Sequence, residues 1–208
     1  MKFSALLSSL CLFALSSLAE AGVTIENWVA PSGARVFFVE NHALPILDVQ
    51  VDFAAGTAYD PQGKTGLASL TQGLIDMGVQ GMDETQISNR LADLGALLAG
   101  GVDMDRSSVS LRTLSTVDKR VPALDILRAV LSSPQYPEEV LAREKARTVA
   151  ALKEALTRPD AIASKAFWAA MYPAHAYGRY ATPESVAALE RADLVTFYQT
   201  YFSAKRAV

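Results

Sequence analysis

Cysteine is nearly absent from this sequence: the single thiol, Cys11, lies close to the N-terminus. Disulfide frameworks and thiolate metal sites are thereby excluded from the rest of the chain, whose stability has to come from packing. Histidine is almost as scarce. His42 and His175 are the only two, they stand in separate predicted loops, and no helical spacing brings them onto one metal. No block of Lys and Arg occurs and the net charge is −3. That argues against nucleic acid as a partner, because no basic face is available to neutralise phosphates. Past residue 18 no apolar run is long enough to make a stable membrane span. No internal repeat is visible either.

What is present reads as one ordinary globular domain. Of 208 residues, 50% are hydrophobic and 20% charged, enough to bury a sizeable core. The N-terminus stands apart. Lys2, an apolar run over 3–18 softened by serines, and Ala19-Glu20-Ala21 together fit a secretory signal cleaved after Ala21. The predicted mature domain is 22–208, exported to the periplasm. Leu10 is too large for a lipoprotein cleavage site before Cys11, so lipidation is not expected, and the mature chain holds no cysteine.

Residues 23–29 and 35–39 have strand composition on either side of a Pro31-Ser32-Gly33 turn. Residues 46–53 form the clearest strand: Leu47, Val49, Val51 and Phe53 alternate with Asp48, Gln50 and Asp52. Asp48 and Asp52 share the polar face, where carboxylates are ordinarily solvated and not metal-bound. A helix is predicted over 65–77, with Thr65 as its cap, and another over 83–94, opened by the Asp83/Gln86 capping-box pair and closed by Gly95. Strands 96–104 and 107–114 follow as a hairpin. A helix over 117–131 should become regular only near Pro122, and Pro137 opens a long helix with a Glu139–Arg143 ion pair. Three more helices, at 161–172, from Thr182-Pro183, and at 192–202, complete the pattern, which alternates without being a simple parallel winding.

The stretch 66–74, GLASLTQGL, organises the functional reading. Leu67, Leu70 and Leu74 repeat as a buried helical face, while Ser69, Gln72 and Gly73, at i, i+3 and i+4, share another. This stretch resembles the GLAHxxEH signature of the pitrilysin, insulinase and mitochondrial-processing-peptidase family (peptidase M16, inverted zinc peptidases), in which two His bind zinc and the Glu is the general base. Here Ser69 and Gly73 stand in the two His positions and Gln72 in that of the Glu. A serine hydroxyl is a poor zinc ligand, an amide accepts no proton from water, and glycine has no side chain.

The resemblance spans the mature chain, including the glycine loop before the signature and an AHAYG turn, Ala174 to Gly178, that is similar to the family's HPYG. It implies an α+β fold, a mixed but mostly antiparallel sheet with helices packed on one side, as in the N-terminal half of such a peptidase. It also implies that the last strand and a second, homologous half are missing, so that 22–208 is a fragment of a longer two-domain chain. The family's third zinc ligand, a glutamate, would fall near Ala150 and Ala151, where no carboxylate occurs between Lys145 and Lys153. Glu144 and Glu154 are outside candidates, with charged-face roles as the simpler reading. Degenerate members of the family pair with active ones. The expected function is therefore that of an exported, non-catalytic subunit that pairs with an HxxEH-bearing homologue and helps enclose peptide substrates, with no metal or cofactor on this chain and zinc in the partner. The alternatives are an active zinc peptidase with relocated ligands, such as His175 with Glu144 or Glu154, and a stand-alone peptide-binding protein.

Overall fold

The computed structural model describes residues 23–208. The predicted signal segment, its cleavage point after Ala21 and Cys11 lie outside the described residues. In chain order the elements are β1 (Ile25–Val29), β2 (Arg35–Val39), β3 (Ile46–Phe53), α1 (Leu67–Gly73), β4 (Gly78–Val79), β5 (Met82–Asp83), α2 (Glu84–Leu94), β6 (Leu97–Val102), β7 (Ser107–Leu114), α3 (Val117–Ser132), α4 (Glu138–Ala155), α5 (Pro159–Met171), α6 (Pro183–Ala187) and α7 (Arg191–Tyr201).

The strands form a β1-β2 hairpin, a short β4-β5 pair and a central sheet ordered β3-β7-β6, and every pairing is antiparallel. Alternation decides which face of the central sheet is covered. Along β7, Ser107, Val109, Leu111 and Thr113 are buried, whereas Ser110 is half-buried and Arg112 exposed. On the open face Arg112 reaches across to Asp48 with two hydrogen bonds, of 2.6 and 2.9 Å. Asp48 is thus an exposed ion-pair partner, as its place on the wet face implied. Among the described residues helices cover the opposite face only, the arrangement expected from the resemblance: α1 and α2 pack on β6, and α3 on β7. Helix α7 then closes over α1, so that α1 lies between the sheet and α7. Its Leu194, fully buried, and Phe197, 3% exposed, anchor that contact, each side chain contributing about 1.5–3 kcal/mol of burial.

Three local expectations are corrected. The helix predicted over 65–77 is regular only over Leu67–Gly73; Leu74 to Met77 continue as a turn that feeds β4. Helix α3 starts at Val117, not near Pro122. Pro122 lies within its second turn, where it costs one backbone hydrogen bond, and the N–H groups of Lys119 and Arg120 close the first turn on Thr116. Arg143 pairs not with Glu139 but across to Glu84 in the first turn of α2 and with its neighbour Glu144. Helix α5, predicted at 161–172, buries no side chain fully, and its Ile162, Phe167 and Met171 are all exposed.

Two C-terminal residues bond to β2 and β3. Ala207 bridges to Phe53, the N–H and C=O of Val208 pair with those of Asp52 at 2.9 and 2.8 Å, and the N–H of Arg35 donates to Ala207 at 3.2 Å. They lie between β2 and β3.

Candidate functional site

Helix α1 has only seven residues, too few to be stable alone, and it is held from outside. Asp60, 4% exposed, accepts the N–H of Gly66 on Oδ2 and that of Ala68 on Oδ1, both at 2.7 Å. Gly66 itself turns left-handed, with φ 100°, so it presents its N–H to that carboxylate without the strain a side chain would bring. Burial pushes the Asp60 carboxyl above the ordinary range, while the two N–H donors and the charge of Arg179 pull it back. Thr65, the expected cap, is diverted: its hydroxyl donates to Ser185 at 2.9 Å.

Leu67, Ala68, Leu70, Thr71 and Leu74 are buried, and the face carrying Ser69, Gln72 and Gly73 is the one left over. The three motif positions are thus brought together as their spacing predicts. Ser69 and Gly73 are exposed, and nothing lies within 4 Å of the place where a Gly73 side chain would begin. Gln72 is different. Its Nε2 donates to the Ser108 carbonyl at 3.2 Å, and it fills the space above Gly100, where an added Cβ would meet it at 2.2 Å. The amide therefore ties α1 to the sheet as a donor, which a carboxylate cannot be. A hydroxyl, an engaged amide and a bare backbone do not fit zinc, and no step through a metal follows from these residues.

Changing Gln72 to Glu is expected to place an acceptor against the Ser108 acceptor and to cost about 1–2 kcal/mol at neutral pH. Protonation would restore a donor. Urea unfolding should therefore show the loss disappearing as the pH falls below the carboxylate range, and a uniform loss at all pH values would contradict the role given to the amide.

Below Gln72 a cleft of about 240 Å³ opens between the end of α1 and β6, lined by Gln72, Gly73, Asp76, Met77, Leu98 and Gly100 among others. Asp76 is its one ionisable wall. No salt bridge to Asp76 occurs among the described residues; the nearby cation, Arg143, is taken by Glu84 and Glu144, its Nη2 lying 4.0 Å from Met77 Sδ. Burial raises the Asp76 carboxyl, against a bond from its own N–H, and the charge of Glu84 raises it further. The folded pKa being higher than the unfolded one, the group favours folding below the ordinary carboxylate range and loses that contribution as pH rises through the folded value. Asp76→Asn should therefore raise the thermal midpoint at pH 7 by about 2–4 °C per kcal/mol relieved and leave it unchanged near pH 3, measured by differential scanning calorimetry.

The other candidates do not join this site. His175 accepts the N–H of Tyr177 at 3.2 Å and packs among Tyr172 and Tyr177. His42 bonds exposed Glu40 at 2.9 Å. Glu144 faces Arg143 and Arg147, and Glu154 is exposed. Among the described residues no three of His, Cys, Asp and Glu converge closely enough to hold a metal ion.

With this geometry in hand the chain can be compared with known proteins. The crystal structure of a peptidase M16 inactive domain from Pseudomonas fluorescens superposes with a TM-score of 0.86 and 33% identity, over 89% of this chain and 45% of that one. In fold and sequence this chain is similar to the peptidase M16 family. Pitrilysin is a further M16-type neighbour in fold, with a TM-score of 0.75 at 19% identity over 91% of this chain and 21% of its own. A probable mitochondrial-processing peptidase subunit beta of Arabidopsis thaliana is 22% identical over 181 residues, 86% of this chain and 34% of that protein. No protein-family model matches the chain. The chain spans less than half the length of each of these relatives.

Two residues of the candidate site escaped sequence reading. Asp60 lies outside the helix it caps, and only the fold brings it there. Asp76 had a signal: it stands at i+4 from Gln72, the spacing that puts two side chains on one face.

Proposed function

We propose that this chain is an exported, non-catalytic peptidase M16-type subunit that pairs with an HxxEH-bearing homologue and helps enclose extended peptides. The observation that carries this reading is the motif face of α1: the apolar frame is intact, the face opens on a cleft, and Ser69, Gln72 and Gly73 supply neither a metal ligand set nor a base. Zinc is then the partner's, and this chain contributes by orienting the peptide and excluding water. The description of the Pseudomonas fluorescens relative as an inactive domain agrees with such a role.

The free edge of β6 suits the task. Among the described residues β6 pairs on one side only, with β7. The N–H of Asp103 donates to Arg106 at 2.8 Å, which sets the ladder phase: residues 97, 99 and 101 bond to β7, so Leu98, Gly100 and Val102 turn their N–H and C=O outward. An extended peptide can add there as a further strand, and the Gly100-Gly101 pair lets its backbone approach closely.

The test is zinc content and peptide hydrolysis for the full-length protein, alone and mixed with an HxxEH homologue encoded beside it. No zinc and no hydrolysis alone, with hydrolysis by the mixture exceeding that of the homologue by itself, is the expected result. Zinc-dependent hydrolysis by this protein alone, abolished by a substitution in this chain, would overturn it; unchanged homologue activity in the mixture would leave a stand-alone peptide-binding protein.

A further inference from the structure

We propose that Asp76 makes the cleft beside β6 selective for a basic side chain, so that the peptides held here are those presenting Lys or Arg opposite Gly100. The proposal rests on the peptide-enclosing reading above and names the class of peptide.

Residues directly opposite each other in an antiparallel pair point to the same face. Gly100 stands opposite Val109 on β7, which is buried on the helix-covered face. A peptide residue placed opposite Gly100 on the free edge therefore sends its side chain to that same face, toward the end of α1. What it meets is the cleft: Gln72 beside Gly100, the bare Gly73, the apolar flank of Leu98 and Met77, and the Asp76 carboxyl in the wall. A cleft lined by apolar Leu98 and Met77 together with the carboxylic Asp76 matches the long methylene stem and cationic tip of Lys or Arg.

Charge complementarity narrows the choice. Asp76 has no salt-bridge partner among the described residues, and Glu84 adds negative potential at the same place while Arg143 is occupied by Glu84 and Glu144. An unpaired, partly desolvated carboxylate is a cost to stability that a cation would relieve, and folds carry such costs mainly at sites of function. An acidic peptide side chain would meet the Asp76 carboxylate there, with no cation in the cleft lining to offset it, and be disfavoured.

The experiment uses the full-length protein and fluorescein-labelled nine-residue peptides, alternating Thr and Val, that differ only at the central residue: Lys, Ala or Glu. Fluorescence anisotropy should give the Lys peptide about tenfold tighter binding than the Ala peptide, the Glu peptide the weakest, and a preference for Lys that shrinks with added salt. Asp76→Asn should bring the Lys peptide down to the affinity of the Ala peptide while leaving the latter unchanged. A peptide with N-methyl groups along its edge-facing side should bind least of all, because it cannot complete the ladder. Equal binding of Lys and Ala peptides, both lost on N-methylation, would overturn the basic preference and leave the peptide-enclosing reading standing. Binding of none of the peptides would overturn both. A Lys preference that survives Asp76→Asn would overturn the role of Asp76.

Discussion

Replacing Asp60 by Ala is expected to lower the stability of the domain by about 3 kcal/mol, and with it the thermal midpoint by about 6–12 °C. The carboxylate is buried and accepts two backbone N–H groups, from Gly66 and Ala68, at 2.7 Å each. Those donors belong to the start of a helix too short to form by itself, and among the described residues no other side chain accepts them. A charged acceptor on a buried donor is worth more than a neutral bond, and an orphaned donor costs its full desolvation. Asp60→Asn should be milder, about 1–2 kcal/mol, since one amide oxygen can still serve one of the donors. Chemical denaturation measures both. Hydrogen exchange at the Gly66 and Ala68 amides separates a local effect from a global one: these two should exchange faster in the Ala variant before the sheet amides do. If Asp60→Ala unfolds at the wild-type midpoint, the carboxylate is not what fixes the site helix in place.

That dependence explains which parts of the molecule were legible in the sequence. The β3 strand could be read because period-two alternation is local and one face of the sheet is wet; Asp48 and Gln50 lie on the open side as their positions implied. The leucine frame of α1 could be read because three residues at helical spacing have to face one core, and Leu67, Leu70 and Leu74 are 3%, 5% and 2% exposed. The capping box of α2 could be read because Asp83 and Gln86 satisfy each other within one turn, at 2.8 and 3.0 Å. What escaped was non-local. The cap of α1 comes from outside the helix, the partner of Arg143 comes from α2 and not from its own helix, and the tie from Gln72 runs to a strand 36 residues away. None of these has a periodic trace. Asp76 is the intermediate case, placed on the right face by its spacing but made notable only by the cleft that β6 builds against it.

The loop that delivers Asp60 is itself clamped, and Gly56→Ala is expected to cost about 3 kcal/mol or more by breaking that clamp. The N–H groups of Gly56, Thr57 and Ala58 donate in succession to the carbonyls of Asp105, Asp103 and Met104, at 3.1, 2.9 and 2.8 Å, which binds the loop to the β6-β7 turn. The backbone of Gly56, with φ −79° and ψ −177°, is one that alanine adopts freely, so the penalty is one of space alone. An added Cβ would lie 2.4 Å from the nitrogen of Asp105 and the carbonyl carbon of Met104, and 2.5 Å from the nitrogen of Arg106. All three are main-chain atoms and cannot rotate aside, so loop and turn have to separate and the hydrogen bonds between them go. Gly101→Ala is the matched control. It changes the same residue type in β6, where the nearest atom to a new Cβ is the Ser108 hydroxyl at 3.9 Å, and it should be neutral within about 0.5 kcal/mol. Because the clamp holds the loop that carries Asp60, Gly56→Ala and Asp60→Ala remove parts of one device, and their double variant should fall short of additivity by about 1 kcal/mol in a denaturation cycle. Strict additivity would mean that the loop and the cap act independently, and that the site helix is positioned by its packing against α7 and the sheet rather than through Asp60.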